Sequence, residues 1–300
     1  NILPTLRDRL EIIDFGVYTR VEKFHIATGY LIPKQLRENG LEEYGVEIAE
    51  DTLWRIIDNY VQEAGVRNLE RTIADVLRSR AVVIGEGKKF EKIIKPDELL
   101  TILGPMRFER SPRLEEGTPP GVATGLAYTP TGGCTLVIES CKMKKKGDLP
   151  ELQVTGQLGD VMTESAKVAY CCSWNYLKEQ GYDLSELEDT DIHIHFDEHG
   201  IGKEGPSAGA VMALTFISLI SGRRIRTDFA MTGEINLRGQ VMPIGGVKQK
   251  LLAAHSAGYK HVFIPERNRK DLVEVPEEIR KDLNIMFAKK IDEVANFALI

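Results

Sequence analysis

The hydrophobic pattern of this chain changes period once, across a proline-rich break, and that change constrains the fold more than any other feature. Before about residue 103, apolar residues recur at spacings of three and four. They run Val21, Phe24, Ile26, Ala27, Tyr30 and Leu31, then Leu53, Ile56, Ile57, Tyr60 and Val61, then Leu69, Ile73, Val76, Leu77 and Val82. Such spacings put side chains on one face of a helix. The third stripe predicts a helix over 68–84 with Asn68 as its N-cap, and 97–103 predicts a short last helix. Between Arg107 and Pro120, three prolines and the run Gly117-Thr118-Pro119-Pro120 interrupt the pattern. Proline lacks an N–H and fixes φ, so this stretch reads as a linker.

Beyond the break, short apolar runs alternate with helical ones. Strands are expected at 125–128 and 134–138, with Thr131-Gly132-Gly133 as the turn between them, and at 151–156. Further strands are expected near 191–196, 229–234, 239–243, 261–264 and 284–287. A long helix is expected over 160–179, buried on Val161, Ala169, Cys172 and Leu177. Others are expected near 207–221, 246–257, 267–273 and 290–298. Alternation of this kind builds a sheet covered by helices. The chain therefore reads as a small helical domain (1–104), a linker (105–120) and a mixed α/β domain (121–300).

Composition narrows the function classes. Three hundred residues, 42% hydrophobic and 28% charged, suit two folded cores and argue against disorder. A net charge of −6 gives no general nucleic-acid surface. The cluster Lys142, Lys144, Lys145 and Lys146 has no interleaved aromatics and reads as a solvated loop tip, so nucleic acid is an unsupported partner. No stretch approaches the ~20 apolar residues of a membrane helix. The opening Asn-Ile-Leu-Pro-Thr-Leu-Arg reads as the start of a piece cut from a longer protein, without a leader peptide. The cysteines, Cys134, Cys141, Cys171 and Cys172, form no CxxC pair, and the histidines show no zinc-ligand spacing, so free thiols in a reducing compartment and no metal are expected.

Three segments carry chemistry. In Lys203-Glu204-Gly205-Pro206-Ser207-Ala208-Gly209-Ala210, Ser207 falls at the start of an apolar helix. Amides and the positive dipole end there suit a developing oxyanion, and small neighbours let a substrate backbone approach. Helix capping is the competing role for such a serine. In Pro243-Ile244-Gly245-Gly246-Val247-Lys248-Gln249-Lys250, Lys250 lies one turn into a helix beside Leu251, Ala253 and Ala254. An amine on an apolar wall loses solvation, its pKa falls, and it can act as a base. The alternative is that Lys248 and Lys250 are ordinary solvated lysines. In Met231-Thr232-Gly233-Glu234, Thr232 could hydrogen-bond a catalytic amine or serve only as a strand residue.

Together the blocks resemble the Lon family of ATP-dependent proteases. Thr155-Gly156-Gln157-Leu158-Gly159-Asp160, Asp191-Ile192-His193-Ile194-His195, Glu204 to Gly209, Met231 to Glu234 and Pro243 to Lys250 match in order. The resemblance implies a serine endopeptidase of the endopeptidase La type, with Ser207 as nucleophile and Lys250, not Lys248, as base. It implies that Thr232 orients the amine and that His193, His195, Glu204 and Glu234 support the site. The Gly-Pro-Ser-Ala-Gly form resembles the A-type branch, which has no membrane segment.

The first hundred residues resemble the small helical subdomain that closes the AAA+ ATPase module of this family. The segments that carry this are Pro33-Lys34-Gln35-Leu36 and Glu63-Ala64-Gly65-Val66-Arg67-Asn68-Leu69-Glu70-Arg71. In that frame Arg67 is the sensor-2 arginine and Arg9, after Asp8, the arginine finger; both would meet phosphates. The resemblance implies ATP and Mg as cofactors, unfolded or damaged proteins as substrates, and a homo-oligomeric ring, usually of six. No Gly-x-x-x-x-Gly-Lys-Ser/Thr loop occurs in the sequence, so these 300 residues alone are expected to lack ATPase activity and to cleave only peptides or unfolded chains. The implied location is intracellular, a bacterial cytoplasm or mitochondrial matrix before a peroxisome.

Overall fold

The computed structural model describes all residues except 1–2, 12–16, 109–112, 130–131 and 198–204. It divides into two compact units, Asn1–Glu109 and Arg110–Ile300. The proline-rich stretch is shared between them. Asn59 O accepts the Arg107 and Phe108 amides, whereas Arg113 donates to the Thr227 and Gly258 carbonyls at 3.1 and 3.2 Å.

The first unit is helical, with α1 (Pro4–Arg7), α2 (Arg20–Ile26), α3 (Ile32–Glu38), α4 (Glu50–Asn59), α5 (Arg67–Gly85) and α6 (Glu98–Leu103). Two short parallel strands, β1 (Glu47–Ile48) and β2 (Ile93–Ile94), complete it. Its core gathers Leu53, Ile56, Leu69, Ile73, Val76 and Leu77, the residues the helical periodicity selects. Three local expectations are corrected. Asn68 does not cap α5: the cap position is Val66, without a side-chain bond, and the Glu63 carboxylate accepts the Leu69 amide at 2.8 Å instead. Val21 and Tyr30 are exposed. A π-helical stretch, Ala27–Leu31, separates α2 from α3, and its extra residue per turn rotates the stripe off a single face.

The second unit is built on a seven-stranded sheet of order β11-β10-β7-β3-β4-β6-β5. Its strands are β3 (Val122–Thr129), β4 (Gly132–Lys144), β5 (Leu152–Thr155), β6 (Thr190–Asp197), β7 (Phe229–Met231), β10 (His261–Pro265) and β11 (Asn284–Ala288). The β3–β4 and β4–β6 pairs are antiparallel; β5–β6, β3–β7, β7–β10 and β10–β11 are parallel. A separate antiparallel ribbon joins β8 (Glu234–Ile235) to β9 (Val241–Met242). The helices are α7 (Asp160–Glu179), α8 (Gly209–Ser221), α9 (Val247–Ser256), α10 (Glu277–Asp282) and α11 (Ile291–Ala298). The chain is thus a helical unit followed by a mixed α/β unit, as the change of period predicts.

The sheet has a core on each side. α7, α8 and α11 pack against one face, while Val247, Leu251 and Ala254 of α9 pack with Leu126, Ala230 and Val262 on the other. α8 is apolar all round, and Val211, Met212, Leu214, Phe216 and Ile217 are fully buried. A helix of this kind belongs in a core, where each such side chain contributes roughly 1.5–3 kcal/mol by leaving water.

Several elements depart from expectation. Val161 is 47% exposed, and α7 buries Met162, Ser165, Ala166, Ala169, Cys172, Ser173, Tyr176 and Leu177 instead. Gly132 and Gly133 open β4 rather than lie in the turn, and Thr131 lies outside the described residues. The expected helix at 267–273 is a 3-10 segment, Glu266–Glu274, and α10 follows Pro276 unannounced by the pattern. The strand expected over 229–234 stops at Met231, because Thr232 and Gly233 turn aside to bond the Ser207 carbonyl. Lys142 and Lys144 lie within β4 rather than on a loop tip. Lys142 pairs with Glu186 at 3.0 Å and Lys145 with Asp189 at 2.9 Å.

Candidate active site

Ser207 sits in a single 3-10 turn, Pro206–Ala208, that runs directly into α8. Gly205 precedes it at φ 109°, ψ 154°, backbone that only glycine adopts easily. The serine is therefore mounted on the most buried helix of the unit. It is not a cap: neither the turn nor α8 has a side-chain cap bond. Among the described residues the Ser207 hydroxyl has no hydrogen-bond partner.

Its backbone is held firmly. The Ser207 carbonyl accepts the Gly233 amide at 2.9 Å and the Thr232 hydroxyl at 3.2 Å. Gly233 O in turn accepts the Ala210 amide at 2.8 Å. This lacing revises the expected use of the helix end. The Gly209 amide bonds Pro206 O and the Ala210 amide bonds Gly233 O, so neither is free for an oxyanion. Nor does the small size of Gly209 admit a substrate. A Cβ there would meet Ser165 Oγ at 2.9 Å and the Ile235 amide nitrogen at 3.1 Å, both protein interior.

Lys250 reaches the same place from α9, on the other side of the sheet. Its side chain is 2% exposed, one of the largest fully buried side chains in the molecule. Its Nζ donates to Thr232 Oγ1 at 3.0 Å. Burial lowers the amine from 10.5 to about 8, with the nearby Cys134 thiol opposing the shift. Lys248, by contrast, is only half-buried, so the solvated reading suits Lys248 and fails for Lys250.

Thr232, itself 1% exposed, joins the two. Its proton goes to the Ser207 carbonyl, so its lone pairs face Lys250. The amine then donates one N–H to Thr232. When neutral, it keeps its own lone pair for a different proton.

The other expected residues lie differently. His193 and His195 share one face of β6, and the Thr155 hydroxyl of β5 meets His193 Nε2 and His195 Nδ1, each at 2.8 Å. Neither imidazole bonds Ser207 or Lys250. Both face a groove of about 610 Å³ shared with Glu139, Cys141, Pro119 and Pro120. Glu234, half-buried in β8, has no ion pair among the described residues. Glu204 lies outside them. Arg9 and Arg67, in the helical unit, are both exposed. Sequence reasoning missed the role of Gly233 and the closeness of Cys134 to the lysine. The strand-breaking Thr-Gly pair inside an apolar run was the available signal for the first; the second leaves none.

Comparison with known proteins identifies the two units. Residues 93–300 match the Lon protease (S16) C-terminal proteolytic domain, and residues 37–93 the Lon protease AAA+ ATPase lid domain. A Lon protease of Anaeromyxobacter dehalogenans is 50% identical over 98% of this chain, and one of Desulfosudis oleivorans is 46% identical over all of it. A zebrafish (Danio rerio) protein named Lon protease homolog 2, peroxisomal, is 43% identical over 99% of the chain. The chain spans 35%, 36% and 39% of these relatives' lengths. No helix among the described residues is long and apolar enough to cross a membrane. From the matched domains and these identities over nearly the whole chain, the chain belongs to the Lon protease family.

Proposed function

We propose that this chain is the peptide-cleaving part of an ATP-dependent serine endopeptidase that works through a Ser207–Lys250 dyad. The observation that carries the reading is the buried Lys250 amine held 3.0 Å from Thr232. An amine lowered to about 8 is partly neutral at physiological pH and can accept a proton.

In the reaction, Ser207 Oγ attacks the peptide carbonyl carbon and its proton passes to Lys250 Nζ. The tetrahedral adduct collapses, the C–N bond breaks, and the proton leaves with the amine product. Water then attacks the acyl ester, Lys250 takes the water's proton, and Ser207 Oγ is released protonated. Thr232 keeps the amine aligned throughout. His193 and His195 act one step removed. Through Thr155 they fix β6 against β5, and β6 feeds the segment that leads to Gly205 and Ser207. Glu204 and Glu234 are assigned to the same supporting group.

The substrates we assign are unfolded or damaged proteins, cleaved within a homo-oligomeric ring, most simply a hexamer. ATP with Mg would supply the work of unfolding. Arg9 and Arg67 are the residues of this chain that would meet the nucleotide's phosphates. Both guanidinium groups are exposed and have no ion pair among the described residues, and a planar cationic fork suits phosphate oxygens. Without a phosphate-binding loop of its own, the 300-residue chain should hydrolyse no ATP; measurable turnover by the purified chain would refute that assignment. An intracellular location fits this reading. The dyad is tested by peptide hydrolysis with the wild type, Ser207→Ala and Lys250→Ala. Loss in both with retained folding supports it, and full activity in either overturns it.

A further inference from the structure

Gly133, at the start of β4, has no role in the chemistry above, yet it makes the closest backbone approach among the glycines of this unit. A Cβ built there would fall on the Gln249 carbonyl oxygen, 2.6 Å from its carbonyl carbon and 3.1 Å from Ala253 Cβ. Real Cβ atoms do not come this near to backbone, so a side chain at 133 forces strand and helix apart. Gln249 is the residue before Lys250, and Ala253 lies one turn further along the same helix face. A second contact joins the same two elements: a Cβ at Gly246, the residue before α9, would meet Tyr128 Cβ and Cγ at 3.2 Å. The β3–β4 hairpin therefore touches α9 on both sides of Lys250 in sequence. Gly133 does not have a positive φ, so alanine fits its backbone, and the contact alone demands glycine.

We propose that Gly133 is a positioning residue for the peptidase reaction: its missing side chain seats β4 against Gln249 and Ala253 of α9 and so sets the reach of Lys250 to Thr232. The inference rests on the Ser207–Lys250 reading. Lys250 enters the site from a helix on the opposite side of the sheet from α8, so the β4–α9 spacing fixes where the amine ends. A shift of a few tenths of an ångström in α9 acts on a 3.0 Å hydrogen bond and on the burial that disfavours the amine's charged form. Misplacement on the order of 1 Å can cost about a hundredfold in rate.

The test uses Gly133→Ala, with Ala253→Val crowding the same contact from the helix side in case the first variant folds poorly. Two readouts are taken: peptide hydrolysis across pH, and the titration of the Lys250 amine followed by NMR of 13Cε-labelled lysine. We expect kcat to fall about tenfold or more with KM nearly unchanged. The acidic, ascending limb of the pH profile and the amine titration should both move to higher pH as water reaches Nζ. Folded variants with unchanged kcat and unchanged Lys250 titration overturn the proposal. The two readings fail separately. If Lys250→Ala keeps full activity, the dyad is wrong; if Lys250→Ala is inactive while both crowded variants match the wild type, the dyad stands and the positioning role falls.

Discussion

Thr232 and Thr155 each hold one hydroxyl between two partners, in opposite surroundings. Thr232 lies in the core between the Lys250 amine and the Ser207 carbonyl. Thr155 lies at the exposed edge of the sheet between two imidazoles. The hydrogen bonds are of similar length, 3.0 and 3.2 Å in the first and 2.8 Å twice in the second, so distance does not separate the sites. Burial does. Around Thr232, lost solvation lowers an amine to about 8, whereas the imidazoles around Thr155 sit at an exposed contact open to water. A desolvated group is one whose protonation the protein controls, which is why the proposed chemistry is placed at the buried site.

The comparison breaks most directly at its chemical end. The double variant Ser207→Ala/Lys250→Ala should be no less active than either single variant, because nucleophile and base act as one unit and their effects do not add; the single losses should be on the order of a thousandfold or more. A double variant whose loss is the product of the single losses would separate the two residues. Next in size, Thr232→Val removes the acceptor that aligns the amine and one donor to the Ser207 carbonyl. Peptide hydrolysis should fall roughly ten- to hundredfold, as befits a buried hydrogen bond left half made.

A third test concerns stability. Lys250 titrates near 8 when folded against 10.5 when free, so the unfolded state holds its proton more tightly. The destabilisation is fully present below pH 8 and disappears as pH rises toward 10.5. Lys250→Met should therefore be inactive yet more stable at pH 7 by roughly 1–3 kcal/mol, with the gain shrinking above pH 8. Denaturant unfolding at pH 7 and pH 10 measures it, and a loss of stability at pH 7 would show the amine to be well solvated. The smallest effect belongs to the exposed cluster: His195→Ala should slow peptide cleavage about tenfold or less, the worth of one hydrogen bond acting through β6. A loss as large as that of Ser207→Ala would make the imidazole part of the chemistry.

The period change told of a helical unit and an α/β unit because period 3.6 and period 2 leave different marks on a linear pattern. Ser207, Lys250 and Thr232 were legible as blocks whose residue types suit the chemistry. Their meeting was not, since Lys250 crosses from the far side of the sheet and no local pattern encodes that. Failures elsewhere have identifiable causes. Glu63 replaced the Asn68 cap from six residues before Leu69. A π-helical stretch rotated the Val21–Leu31 stripe. The strand expected through Glu234 ended where Thr232 and Gly233 found a carbonyl to bind. Gly133 reads in the sequence only as a turn glycine, because its neighbour Gln249 is distant along the chain.

The burial of the first ten residues of α8 has a consequence for how the enzyme can be switched. Residues Gly209 to Ser218 are all buried, so their amides should exchange with solvent only when the whole unit opens. Local melting of that helix is then no route to an off state. The foundation of the proposed nucleophile survives as long as the domain does, and heat inactivation should track global unfolding rather than precede it. Reversible control has to act on what approaches Ser207, not on what carries it.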